Sequence, residues 1–135
     1  MSITFDEQQS AMIARAEYLW FTTLRADGQP QPTPVWFIYE NDTFLIFSQP
    51  DAQKVKNIRS NPKVALNYSV DPQGETYIVI MGEAEILDTG LSVTQVSAYV
   101  DKYRQGIADL DMTPESMAAS YSTAIRVTPT RVRSQ

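Results

Sequence analysis

Four cations crowd one short stretch of an otherwise acidic chain. In "SQPDAQKVKNIRSNPKVAL", residues 48–66, Lys54, Lys56, Arg59 and Lys63 fall within ten residues, while the 135-residue chain carries a net charge of −5. Lysines at the start of a helix act as point charges for phosphate oxygens, beside free N–H groups and the favourable end of the helix dipole. The same spacing fits an ordinary solvated basic face, and spacing alone leaves both readings open. The pI near 4.6 opposes binding to nucleic acid or to an anionic membrane, since both rest on neutralising phosphates. A small anion suits the cluster better than a polyanion.

Two absences narrow the chemistry. The chain has no Cys, which excludes thiolate nucleophiles, disulfides and cysteine metal sites. It also has no His, the usual general acid–base near neutral pH and the commonest metal ligand. An enzyme built on this chain draws on carboxylates, Lys, Tyr or a cofactor, and a cofactor is the economical source. Glu83 and Glu85, with Asp88 nearby, alternate on one strand face and read as a solvent-facing edge, so no metal site is assigned. Trp20, Trp36, Tyr39 and Tyr68 are able to stack on a ligand, but packing in the core or between subunits is their plainer use. Arg126, Arg131 and Arg133 read as a solvated, frayed tail.

The elements that must position these groups follow from periodicity and turn signals. Residues 4–16 form an opening helix, with Thr4 as cap and Glu7 three residues on. "YLWFTTL", "PTPVWFIYE" and "TFLIFS" read as three strands joined by tight turns at Asp27-Gly28 and "END". "DAQKVKNIRS" is a short helix capped by Asp51 and stopped by Pro62. "KVALNYSV" and "TYIVIMGEAEIL" are the fourth and fifth strands, with Gly82 marking a bulge or bend. Residues 92–105 form an amphipathic helix on Val93, Val96, Val100 and Tyr103, ended by Gly106. A last short helix starts at Thr113-Pro114, and "TAIRVTPTRVRS" closes the chain as a sixth strand and tail. Residues 1–135 thus form one domain, mainly β (α+β), a six-stranded antiparallel barrel with peripheral short helices. Strands this apolar on two faces call for cover by a second subunit.

The segment "GQPQPTPVWFIYENDTFLIFSQPDAQKVKNIRSNPKVALNY" resembles the flavin- and deazaflavin-binding split barrels related to pyridoxamine-phosphate oxidase. The motif order is the specific part: "P-x-T-P-V-W-F", then "F-L-I-F-S", then "K-x-K-N-I-x-x-N-P". Within that family the look is nearest to small proteins that use the deazaflavin coenzyme F420. The resemblance implies that residues 33–37 (Thr33, Pro34, Val35, Trp36 and Phe37) lie along the cofactor ring and offer it backbone groups. It further implies that Phe47 and Ser48 line the middle of the cofactor and that Lys54 and Lys56 hold its phosphate. Asn57 steadies the loop or contacts the same phosphate. It also implies a homodimer with the cofactor at the subunit interface. Flavin-using members usually carry an Arg near the position of Thr33 and a Ser where this chain has Ala52. Those departures favour coenzyme F420 over FMN, and the missing His speaks against pyridoxal phosphate synthesis.

The resulting expectation is a cytoplasmic, homodimeric oxidoreductase transferring a hydride between coenzyme F420 and a small conjugated or planar acceptor. No catalytic side chain is assigned; Tyr or Ser near the ring, or solvent, is the candidate proton source. The alternatives are an FMN-dependent enzyme and a carrier of F420 or flavin without turnover. An oligonucleotide-binding barrel is opposed by the acidic charge.

Overall fold

The computed structural model describes residues 3–88 and 90–135. Seven strands form a single antiparallel sheet in the order β2-β1-β5-β6-β7-β4-β3. They are β1 (Leu19–Leu24), β2 (Pro30–Val35), β3 (Ile38–Glu40), β4 (Thr43–Ser48), β5 (Lys63–Ser69), β6 (Tyr77–Leu87) and β7 (Thr123–Ser134). The helices are α1 (Glu7–Arg15), α2 (Gln53–Ser60), α3 (Ser97–Asp109) and α4 (Pro114–Ser120), with one 3-10 turn at Val93–Gln95. None of these helices is long and apolar enough to cross a membrane.

The expected second strand is in fact two, which is why the sheet has seven strands rather than six. It breaks at Trp36-Phe37, where the Phe37 backbone bonds to side chains of α3 instead of to a neighbouring strand. The Phe37 N–H donates to the Tyr103 hydroxyl at 2.9 Å, and the Lys102 amine donates to the Phe37 carbonyl at 3.0 Å. Strands β2 and β3 are the two outermost strands of the sheet, yet only these two residues join them. The sheet must therefore curl until its edges nearly meet, and the result is a split barrel.

Strand β2 reads PQPTPV and pairs with β1 over all six positions. Proline has no N–H, so the ladder bonds run through Gln31, Thr33 and Val35. The three prolines turn their nitrogens to the open edge, which blunts it against further strand pairing.

Two apolar clusters result from the curl. Inside lie Leu19, Phe21, Phe44, Ile46, Leu66, Ile80 and Val127, closed off by Met12 and Ile13 of α1 and Val55 and Ile58 of α2. The second lies outside β4, where Leu45 and Phe47 meet Tyr99, Tyr103, Ile107 and Met117 of α3 and α4. Strand β4 is thus buried on both faces, which accounts for its unbroken apolar run. The outward faces of β1, β5 and β6 have no such cover. Trp20 is 42% exposed and Met81 is 49% exposed.

Several local expectations change. The cap of α1 is Asp6, not Thr4. Its carboxylate accepts from the Gln9 N–H at 2.8 Å, and the Gln9 side chain returns the bond and also reaches the Ser134 hydroxyl at 3.0 Å. That second partner, distant in sequence, favours this frame. Helix α2 starts from Ala52 rather than Asp51, and no side chain caps it. Gly106 lies inside α3 and does not end it. A Cβ there would stand 3.0 Å from the Trp36 ring, so the glycine serves close approach. The basic C-terminal segment is no frayed tail, because β7 pairs with β6 out to Ser134. Glu83 and Glu85 face solvent but lie on β6 in the middle of the sheet, not at an edge.

Gly82 does mark an irregularity, and Thr113 does cap α4 ahead of Pro114. Met81 pairs with Arg131 and Gly82 with Pro129, so Thr130 is the extra residue of a bulge. The Pro129 nitrogen has no hydrogen to give the ladder, and the Thr130 hydroxyl bonds to the Met81 carbonyl at 3.2 Å.

Candidate functional site

One cleft of about 300 Å³ gathers the ends of three sequence segments. The end of β2 and its exit bring Pro34, Val35 and Trp36, and the end of β4 brings Phe47 and Ser48. The third segment is the start of α2, with Ala52 and Lys54. Helices α3 and α4 supply the opposite wall.

Lys54 is the cation of this cleft. It is half-buried, and burial holds its pKa below the ordinary lysine value. Because α2 lacks a side-chain cap, its first N–H groups remain open beside that amine. A partly desolvated ammonium and an uncapped helix start both favour negative charge nearby. The rest of the wall is mixed: Ser48 and Gln49 bring polar groups beside Lys54, and Trp36, Phe47, Tyr99 and Tyr121 bring aromatic rings.

Four of the ten sequence-assigned site residues lie elsewhere. Lys56 is exposed and outside the cleft, since two residues along a helix turn a side chain through more than half a circle. Asn57 is 2% exposed and points inward. Its amide nitrogen donates to the Thr23 hydroxyl and to the Gln31 side chain, both at 2.9 Å, and its oxygen accepts from Gln53 at 2.9 Å. Asn57 thus ties α2 to β1 and β2, which is the steadying role. Phe37 has its ring in the core and its backbone N–H engaged by Tyr103. Thr33 pairs with buried Phe21 on the inner side of β2, and its hydroxyl is enclosed without a partner.

The helical wall was missing from the sequence reading. Tyr99, Leu110, Met117 and Tyr121 line the cleft. Tyr99 lies four residues before Tyr103 on the same helix, but the spacing read from the sequence ran through Val93, Val96, Val100 and Tyr103 and did not include it. What no periodicity reveals is that α3 packs back on β4. Tyr103 stacks on Trp36 with ring centres 4.5 Å apart and planes 3° from parallel. Its hydroxyl also lies 2.6 Å from the Glu17 carbonyl. Lys102 lies with its amine 3.6 Å from the centre of the Phe37 ring. These contacts hold the β2–β3 break in place, and with it Trp36.

A curled antiparallel sheet with an amphipathic cleft between its strand ends and a helical flap defines a split-barrel protein. A sequence model described as pyridoxamine 5′-phosphate oxidase matches residues 5–135, and the chain belongs to that family. Among solved structures, it is similar to an F420 reductase at 25% identity, with a TM-score of 0.76, over 97% of this chain and 100% of that one. A conserved hypothetical protein of Mycobacterium tuberculosis has a TM-score of 0.78 at 18% identity, over 98% of this chain and 85% of that one. The heme storage protein HutZ of Vibrio cholerae has a TM-score of 0.69 at 11% identity, over 98% of this chain and 95% of that one, a likeness of fold alone. No curated protein matches the chain.

Proposed function

We propose that the cleft binds coenzyme F420 and that the protein is an oxidoreductase acting on a small conjugated or planar acceptor. The observation that carries the reading is the placement of the Lys54 amine and the uncapped start of α2 beside Pro34, Val35, Trp36, Phe47 and Ser48. These residues fit a planar ring joined to an anionic tail: Lys54 and the α2 N–H groups hold the phosphate, and Trp36 and Phe47 flank the ring. The similarity to an F420 reductase along the full chain supports the same cofactor. FMN is the alternative cofactor, and titration with each separates the two. When bound, the reduced deazaflavin supplies a hydride. The protein's own part is to seat the anion, orient the ring face and exclude water.

The cleft is open and lies at the small end for a cofactor site, so a further wall is needed. We assign that wall to a second copy of the chain. The uncovered outer face is suited to the contact: Trp20 and Asn67, then Thr22 and Ala65, pair across β1 and β5 and continue to Val79 and Met81 of β6.

The test is to titrate purified protein separately with F420 and FMN. Reduced cofactor is then offered to quinone-like and tetrapyrrole-like acceptors. Binding of F420 with turnover is the expected result. Binding without turnover would make the protein a carrier, and binding of neither would remove the proposal.

A further inference from the structure

Two phenols in the cleft wall, Tyr99 and Tyr121, have hydroxyls with no hydrogen-bond partner among the described residues, and of the two Tyr99 is the one whose ring is buried and held. It is 2% exposed, held between the edge-on ring of Phe47 and the tilted ring of Tyr103, each with centres 5.0 Å away. Those contacts fix its ring. Its hydroxyl has no hydrogen-bond partner among the described residues, yet it is not enclosed either, since Tyr99 lines the cleft. A buried phenol ordinarily finds a partner within the protein. The neighbours show the contrast. The Tyr103 hydroxyl is taken up by the Phe37 backbone and the Glu17 carbonyl, and the Ser48 hydroxyl donates to the Gln49 carbonyl at 3.0 Å. Tyr99 alone among these three keeps a free donor.

We infer that Tyr99 is the hydrogen-bond donor that holds the carbonyl oxygen of a conjugated acceptor in this cleft. The inference rests on the reading of the cleft as a hydride-transfer site, and it names the acceptor class as carbonyl compounds of the quinone type. When a hydride leaves the reduced deazaflavin and adds to such a ring, the carrier is oxidised and the acceptor reduced. The displaced π-electron pair moves onto the carbonyl oxygen, and a proton from water then neutralises it. A donor already aimed at that oxygen stabilises the charge as it develops and needs no rearrangement to do so. Burial, helped by the Tyr103 and Tyr121 hydroxyls, pushes the Tyr99 pKa well above the ordinary tyrosine value. Tyr99 therefore remains protonated across the working range, and acts as a fixed donor rather than an acid.

Tyr99→Phe removes only the hydroxyl and keeps both ring contacts, so the variant should fold with an undiminished melting temperature. The probe is 1,4-naphthoquinone, titrated against protein without cofactor, with its carbonyl stretch followed by isotope-edited infrared difference spectroscopy. Loss of one neutral hydrogen bond should raise the dissociation constant about three- to tenfold and move the carbonyl band to its unbonded position. With reduced F420 present at saturation, kcat for the quinone should fall about 10²–10³-fold, the range for losing one such donor. Equal quinone affinity and an unmoved band in the variant would overturn the inference, as would failure of the parent to bind naphthoquinone. Failure to bind F420 with quinone binding still dependent on Tyr99 would defeat the cofactor reading and leave the donor assignment standing. Full turnover by Tyr99→Phe would do the reverse.

Discussion

Lys54 and Lys56 are two residues apart and identical in type, yet the fold gives them different surroundings. Lys54→Ala should weaken binding of a phosphate-bearing cofactor by about 1.5–3 kcal/mol, the range for hydrogen bonds to charged groups. Lys56→Ala should change it little, because that side chain stands in solvent outside the cleft. Calorimetric titration of both variants separates a seat for phosphate from a general basic field, in which the two losses would be equal and small. The lowered pKa of Lys54 adds a pH signature. Its charge is present at neutral pH and is lost on the alkaline side before an ordinary lysine would lose its own. Affinity should therefore fall as pH rises toward the ordinary value of 10.5, and Lys54→Arg should abolish that fall. Asn57 is a matter of stability. Asn57→Leu strands the Thr23 hydroxyl and the Gln31 side chain, and should cost about 1–3 kcal/mol in urea unfolding.

At the scale of elements, the glycines of β6 and α3 set how closely neighbours approach. A Cβ at Gly82 would lie 2.6 Å from the Thr128 carbonyl oxygen and 3.1 Å from a Val127 methyl. The first contact is with backbone, which cannot rotate away. Gly82→Ala should therefore destabilise the β6–β7 pairing by about 1–3 kcal/mol, the usual penalty for overpacking, and lower the thermal midpoint. Gly106 faces a side chain instead. There a methyl would press on the Trp36 ring, while alanine in a helix gains about 1 kcal/mol over glycine. The two effects oppose one another in stability. The displacement of Trp36 should still appear as a change in its fluorescence in a Trp20→Phe background.

For the whole molecule, the decisive feature is which parts of the outer barrel surface the helices cover. Helices α3 and α4 mask β3 and β4, while β1 and β6 present Trp20 and Met81 to solvent, with half-buried Val79 between them on the same face. A dimer formed through that face should bury more than about 1,200 Å² in total, the lower bound for a specific stable pair. Met81→Glu places a charge in the middle of the patch. It should shift the protein to a monomer in light scattering, and cofactor affinity should fall with it if the partner completes the cleft. A Met81→Glu variant that remains dimeric would move the interface elsewhere.

The sequence alone determined all the strands but the divided second one, the turns at Asp27-Gly28 and residues 40–42, the Thr113 cap and the class of fold, because each follows from local periodicity or from a residue's own conformational limits. The motif order also grouped Pro34, Val35, Trp36, Phe47, Ser48 and Lys54, which the fold brings to one cleft, whereas the rest of the basic cluster stays outside it. Other features depend on contacts between residues distant in the chain, and only the tertiary structure decided those. The break at Trp36-Phe37 exists because Tyr103 and Lys102, more than sixty residues on, bond to the Phe37 backbone. The inward turn of Asn57, the exclusion of Lys56 and the arrival of Tyr99 in the cleft wall depend on how α2 and α3 are rotated against the sheet. Side-chain type and spacing are local properties, whereas the rotation of a helix about its axis is settled by everything that packs against it.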